Sequence, residues 1–272
     1  MTLRINRDTR LCISLSARPG NFGTRFQNYL YEALDLDYVY KAFSTQDLEG
    51  AIAGIRALDI RGCAVSMPFK EACIPLIDGL EASASAIHSV NTIVNDAGVL
   101  RGYNTDYSAV ATLIAASGLP TDTPLALRGS GGMGKATACA LRDAGFSNGH
   151  VVARNAVAGQ RLARTTGWTW APDMQGVTGG LLVNVTPIGM EGGPEAQVLA
   201  FTEAEIAAAD LIFDVVALPV ETPLIQRARA LGKPVITGGQ VVVLQAVEQF
   251  VLYTGVRPEP ELIDRAARHA LA

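Results

Sequence analysis

Hydrophobic positions along this chain fall into short blocks that alternate between two periods. Residues 10–15 and 38–43 alternate apolar and polar side chains closely enough to predict strands. Between them, Phe26, Tyr29, Leu30 and Ala33 recur at i, i+3, i+4 and i+7, the stripe of an amphipathic helix, with Thr24 as its expected cap. Residues 51–58 predict a second helix, and 62–66 a third strand stopped by Pro68. Segments 91–95 and 99–103 flank Asp96-Ala97-Gly98, a hairpin signal. After a helical block at 107–117 the pattern becomes regular. Strand blocks at 124–127, 149–153, 180–184, 211–215 and 234–236 alternate with helical ones at 137–146, 157–166 and 223–231. Such alternation predicts a parallel sheet wound on both faces. Two further helical blocks, 241–253 and 259–270, follow the last strand and are expected to return to the first half. The expected fold is α/β in two domains, 1–106 completed by 240–272 and 107–239, with a cleft between.

One turn in this pattern carries chemistry. Gly129-Ser130-Gly131-Gly132-Met133-Gly134-Lys135-Ala136 follows a strand block and opens a helical one, the context in which G-x-G-x-x-G has meaning. Gly129 permits the tight turn, Gly131 admits a pyrophosphate to the backbone, and Gly134 lets helix and strand pack closely. The phosphates of a dinucleotide would meet N–H groups at the helix's positive end. A plain glycine turn is the alternative, and the flanking elements favour the dinucleotide.

Composition narrows the classes. At 272 residues, with 49% hydrophobic and 18% charged positions, the chain is long enough to bury a core and is not of disordered type. A net charge of −4 argues against a nucleic-acid surface. The apolar runs at 181–183 and 241–244 are too short to cross a bilayer, and residues 1–8 lack the apolar region of a signal peptide. The four cysteines (Cys12, Cys63, Cys73 and Cys139) make no C-x-x-C pair, and His88, His150 and His269 gather no acidic cluster. Neither a metal site nor a disulfide framework is expected, and a reducing, cytoplasmic compartment is.

Two polar clusters in the first half exceed what the fold alone calls for. Ser66-Met67-Pro68-Phe69-Lys70 sets a lysine just past a strand end, and Ser89-Val90-Asn91-Thr92 accompanies Gly102-Tyr103-Asn104-Thr105-Asp106. Each alone reads equally as turn formers and a solvated lysine. In order along the chain, however, Ser66-Met67-Pro68-Phe69-Lys70, Val90-Asn91-Thr92, Asn104-Thr105-Asp106, the glycine turn, Asn184-Val185-Thr186-Pro187-Ile188-Gly189-Met190 and Leu244-Gln245-Ala246 resemble the shikimate dehydrogenase family. The likeness spans nearly the whole chain and is greatest to the shikimate dehydrogenase-like branch. It implies a reversible, NADP-dependent interconversion of 3-dehydroshikimate and shikimate. It also implies a substrate domain completed by C-terminal helices and a Rossmann-type cofactor domain.

By that resemblance Lys70 matches the catalytic lysine and Asp106 its partner, a pair suited to holding an alcohol and passing its proton. Ser66, Asn91 and Gln245 match positions that bind the substrate ring. The carboxylate-binding motif, Ser-x-Ser-Pro ahead of His-Asn, aligns with Asn21-Phe22-Gly23-Thr24 ahead of Gln27-Asn28, so both serines are lost while Asn21 and Thr24 still offer hydrogen bonds. A tyrosine of the family aligns with Ala217. Gly129, Gly131, Gly132, Gly134, Thr186, Met190 and Gly238 are expected around the dinucleotide. Ala153-Arg154-Asn155, with Arg154 and Asn155 in place of an acid, predicts NADP rather than NAD. A quinate or aminoshikimate-type dehydrogenase is an alternative, as is a non-catalytic dinucleotide and metabolite sensor on the same fold. The expected partners are a small ring acid and at most a second copy of the chain, with no nucleic acid and no membrane.

Overall fold

Cys12 and Ile13 are adjacent in sequence and face opposite cores, as the period of two in a strand requires. They lie in β1 (Arg10–Ser16), part of a six-stranded sheet in this computed structural model, which describes residues 5–271. The other strands are β2 (Tyr38–Ser44), β3 (Gly62–Val65), β4 (Gly79–Leu80), β5 (Thr92–Asp96) and β6 (Val99–Tyr103), in the order β2-β1-β3-β5-β6-β4. β1 pairs in parallel with β2 and β3, whereas β5 runs antiparallel to β3 and β6, so the sheet is mixed. Ala97 and Gly98 close the β5–β6 hairpin with φ of 52° and 90°. The helices of this part are α1 (Phe22–Ala33), α2 (Leu48–Ala57), α3 (Phe69–Ala72) and α4 (Ala82–Ser85).

The second sheet is parallel throughout: β7 (Leu125–Arg128), β8 (Gly149–Val152), β9 (Thr169–Ala171), β10 (Leu181–Asn184), β11 (Leu211–Asp214) and β12 (Val235–Thr237), in the order β12-β11-β10-β7-β8-β9. Its connections carry α6 (Gly132–Asp143), α7 (Ala156–Thr166), α8 (Glu203–Ala208) and α9 (Pro223–Ala230), after α5 (Thr105–Ser117) has led into β7. This is the doubly wound Rossmann order, in which strand succession reverses between β7 and β10. Every residue of β10 and β11 is buried, the mark of strands covered on both faces.

α10 (Gly238–Thr254) and α11 (Pro260–Leu271) return to the first sheet. Ala246, Val247, Phe250 and Tyr253 of α10 and Leu262, Ala266 and Ala270 of α11 pack with Phe26, Leu30 and Tyr31 of α1. By contact the chain divides into two compact units, one running to Thr105 and resuming at Val243, the other Asp106–Val242. Residues 1–4, part of the stretch read for a signal peptide, and Ala272 lie outside the described residues. No described helix is long and apolar enough to cross a membrane.

Several helices begin earlier than the hydrophobic pattern predicts. α1 starts at Phe22, so Thr24 lies in its first turn and is not its cap; Asn21 holds the N-cap position without a side-chain bond. The ring of Phe22 stacks on Phe26 (centroids 5.5 Å apart), carrying the apolar stripe back one turn. α2 starts at Leu48 because the Asp47 carboxylate caps Gly50 N (2.8 Å). α6 starts inside the glycine turn. α10 starts at Gly238 on a capping box: Thr237 N donates to Gln240 Oε1 (2.8 Å), and Gln240 N to Thr237 Oγ1 (3.4 Å).

Candidate functional site

The residues singled out in the sequence fall into two groups, one around the glycine turn of the second unit and one around Asn91 of the first, with Asp106 the first residue of the second unit. In the second unit the glycine turn joins β7 to α6 at the point of strand reversal. Gly129 has φ of +121°, and a Cβ there would stand 2.8 Å from the Val185 side chain. A Cβ on Gly134 would stand 3.2 Å from Gly129 O. Gly131 and Gly132 are the opposite: nothing lies within 4 Å of where their Cβ atoms would be. Open space therefore adjoins the first turn of α6, whose leading N–H groups lack intrahelical acceptors. This cradle fits a pyrophosphate, and its neighbourhood continues into a pocket of about 280 Å³ reaching Arg154 and Thr186.

The loops beside the cradle rest on a buried network. Asp214 accepts from Asn184 Nδ2 (3.0 Å), Val216 N (3.1 Å) and Thr222 Oγ1 (2.7 Å), all away from water. Burial, the strongest influence, raises the Asp214 carboxyl above its ordinary range, while the three hydrogen bonds oppose that. Asn184 Oδ1 in turn accepts from Thr186 N (3.1 Å) and Thr186 Oγ1 (2.6 Å), so the Thr186 hydroxyl shapes the β10 turn. Gly189 bends that loop at φ of +87°, and Met190 beyond it is exposed. Gly238 is buried, and a Cβ on it would stand 2.3 Å from Val216 O, so close packing alone accounts for this glycine. Asn155 caps α7 through Ala158 N (3.1 Å), which commits its side-chain oxygen. Arg154 extends into solvent with its side chain 85% exposed.

In the first unit the centre is Asn91, buried just before β5. Its Oδ1 accepts from Thr105 N (2.8 Å) and Thr92 Oγ1 (2.8 Å), and its Nδ2 meets Thr105 Oγ1 (3.0 Å). Gln245 Oε1 lies 3.5 Å from the same Thr105 hydroxyl, and Gln249 Nε2 donates to Thr92 Oγ1 (3.0 Å). The backbone binds neighbouring segments to this point. Val65 N donates to Asn91 O (2.7 Å), and Val90 N to Lys70 O (2.8 Å). Ser66 follows Val65, and Asp106 follows Thr105 into the first turn of α5. Ser66, Lys70 and Gln245 are thus each anchored within a residue or one side chain of Asn91.

The structure does not tie Asn21 or Thr24 into these bonds. Asn21 is exposed at the N-cap of α1, and Thr24 is half-buried, its carbonyl accepting from Asn28 Nδ2 (2.9 Å). Gln249 and Asp214 did not stand out in the sequence, and Thr105 stood there as part of the Asn104-Thr105-Asp106 cluster without a role of its own. Gln249 had a usable signal, one helical turn after Gln245; Asp214 had none, because an acid inside an apolar strand block reads as its end.

Residues 22–93 match the model of the shikimate dehydrogenase substrate binding domain. A shikimate dehydrogenase-like protein of Haemophilus influenzae is 55% identical over 266 residues, 98% of this chain and 98% of its own. The chain belongs to the shikimate dehydrogenase family. Two solved structures share its two-domain α/β fold. The shikimate 5-dehydrogenase of Thermus thermophilus, in complex with NADP(H) and shikimate, is 29% identical with a TM-score of 0.84, covering 96% of this chain and 99% of that one. The quinate dehydrogenase of Corynebacterium glutamicum, in complex with NAD, is 27% identical with a TM-score of 0.87, covering 97% and 99%. With its family, the chain is an oxidoreductase acting on a CH–OH group.

Proposed function

We propose that the protein interconverts shikimate and 3-dehydroshikimate with NADP, Lys70 moving the hydroxyl proton and Asp106 acting as its partner. The observation that supports this reading is that Lys70 O accepts from Val90 N, while Thr105, the residue before Asp106, donates its N–H to the side chain of Asn91. NADP⁺, when bound, supplies the hydride acceptor. The proton on the ring oxygen then passes to Lys70 Nζ in its neutral form, and in reduction the ammonium returns it. Asp106 orients that amine. Asn91 has spent its oxygen on Thr105 and Thr92, so what it offers a ring hydroxyl is its remaining Nδ2 hydrogen. Gln245, facing Thr105 through Oε1, offers its amide hydrogens likewise. Arg154, just past the end of β8 and with no acid next to it in the sequence, is suited to a 2′-phosphate.

The experiment is Lys70→Ala. It is expected to lower kcat by about 10²- to 10⁴-fold while the Kd for NADP stays within about twofold of the parent. Turnover near the parental rate removes the assignment.

One observation favours a second substrate of the same chemistry. Asn21, Gly23 and Ala217 stand at positions matching two serines and a tyrosine of the resemblance, and hydrogen bonds to a charged group are worth about 1.5–3 kcal/mol each. A related ring acid such as quinate is the competing substrate, and ranking kcat/KM for the two acids decides between them.

A further inference from the structure

The pocket beside the glycine turn, about 280 Å³, is lined by Arg128, Ser130, Arg154, Asn155, Thr186 and Glu195 among others. Only one of these is acidic. Glu195 Oε2 lies 3.9 Å from Arg154 Nη2, too long for a hydrogen bond but within ion-pair range. The position of Glu195 is well defined, since its carbonyl accepts from both Gly189 N (3.0 Å) and Val198 N (3.1 Å). Arg128 is held elsewhere: its Nη1 donates to Ala200 O, and its guanidinium stands 6.0 Å from the centre of the Phe201 ring. Arg154 is therefore the cation with reach, and Glu195 already occupies its field.

A Rossmann site that selects NAD sets an acid at the end of its second strand, against the ribose 2′-hydroxyl. Here that strand end reads Ala153-Arg154-Asn155, and the acid arrives from the loop after β10 instead. A carboxylate in that place opposes a 2′-phosphate twice over. It pairs with the arginine the phosphate needs, and it repels the phosphate's own negative charge. The geometry points to Glu195 as a specificity-determining residue that weakens the preference for a 2′-phosphorylated dinucleotide by competing for Arg154. This inference rests on the reading of Arg154 as the residue beside the ribose.

The test is isothermal titration of the purified full-length protein with NADP⁺ and with NAD⁺ at low and at physiological salt. Glu195→Gln is expected to tighten NADP⁺ about fivefold or more and to leave NAD⁺ unchanged or weaker, with the gain shrinking as salt rises. Glu195→Ala is expected to move the ratio in the same direction, which separates loss of charge from the new amide. An NADP⁺/NAD⁺ affinity ratio unchanged in both Glu195 variants overturns the inference. Arg154→Ala checks the reading beneath it and is expected to weaken NADP⁺ selectively. If it leaves NADP⁺ binding untouched, the assignment of Arg154 falls, whatever the Glu195 variants do.

Discussion

Asn91 shows what one buried amide can organise. It satisfies a backbone N–H and a hydroxyl through its oxygen, and a second hydroxyl through its nitrogen, all from within the core. Asn91→Ala leaves Thr105 N–H buried without its acceptor and is expected to cost about 2–4 kcal/mol in urea unfolding, with KM for the ring acid raised as well. An unchanged unfolding midpoint contradicts that role. Asp214 makes a prediction of opposite sign to most carboxylates. Its folded pKa is raised above 3.8, so the folded chain binds the proton more readily than the unfolded one. Its contribution to stability therefore grows as pH falls from the raised value toward 3.8 and vanishes at neutral pH. Asp214→Asn keeps an acceptor for Val216 N–H and does not titrate. Its stability relative to the parent should fall on acidification from neutral pH to about pH 4, as read from urea midpoints. A rise over that window contradicts the assignment.

At the scale of elements, two glycines that look alike in sequence separate. A Cβ on Gly238 would meet the backbone of Val216 at 2.3 Å, which no rotamer change relieves, so Gly238→Ala is expected to lower stability by about 3 kcal/mol. A Cβ on Gly131 would meet nothing within 4 Å, at an unstrained φ of −78°. Gly131→Ala should keep the parental melting temperature and lose dinucleotide affinity; a variant that melts early or binds normally contradicts the cradle. The sequence made the long elements legible because periods of two and 3.6 persist through them. It hid α3, α4, β4 and β9, which have at most four residues, too few for either period to emerge. α8 was legible in principle, since Thr202 and Glu205 form a capping box, but its six residues carry no apolar stripe. Helix starts slipped at α2, α6 and α10, where a side-chain cap or a glycine opens the helix, and at α1, where Phe22 carries the apolar stripe back one turn. The antiparallel pairing of β5 with β3 was not legible either, because a hairpin signal defines its own register and says nothing of the next neighbour.

At the scale of the whole molecule, the first unit depends on the last helices of the chain. Leu262, Ala266 and Ala270 bury one face of α11 against the cluster that holds Phe26, Leu30 and Tyr31. Truncation after Gly255 strips that cover from α1 and should lower the melting temperature while raising the binding of a hydrophobic dye. Parental melting without dye binding contradicts it. The return of the C-terminal segment was legible as helical blocks lying beyond the last strand, whereas its packing partner was not, because an apolar stripe names a buried face and not the surface that buries it. The proposed function makes shikimate the ring acid and Lys70 the residue that moves its proton. The measurement that bears most directly on it is NADPH formation by the purified protein, with shikimate and then quinate offered at saturation in separate runs. Shikimate-dependent NADPH formation that disappears in Lys70→Ala is the predicted result; NADP binding without turnover of either acid contradicts the account.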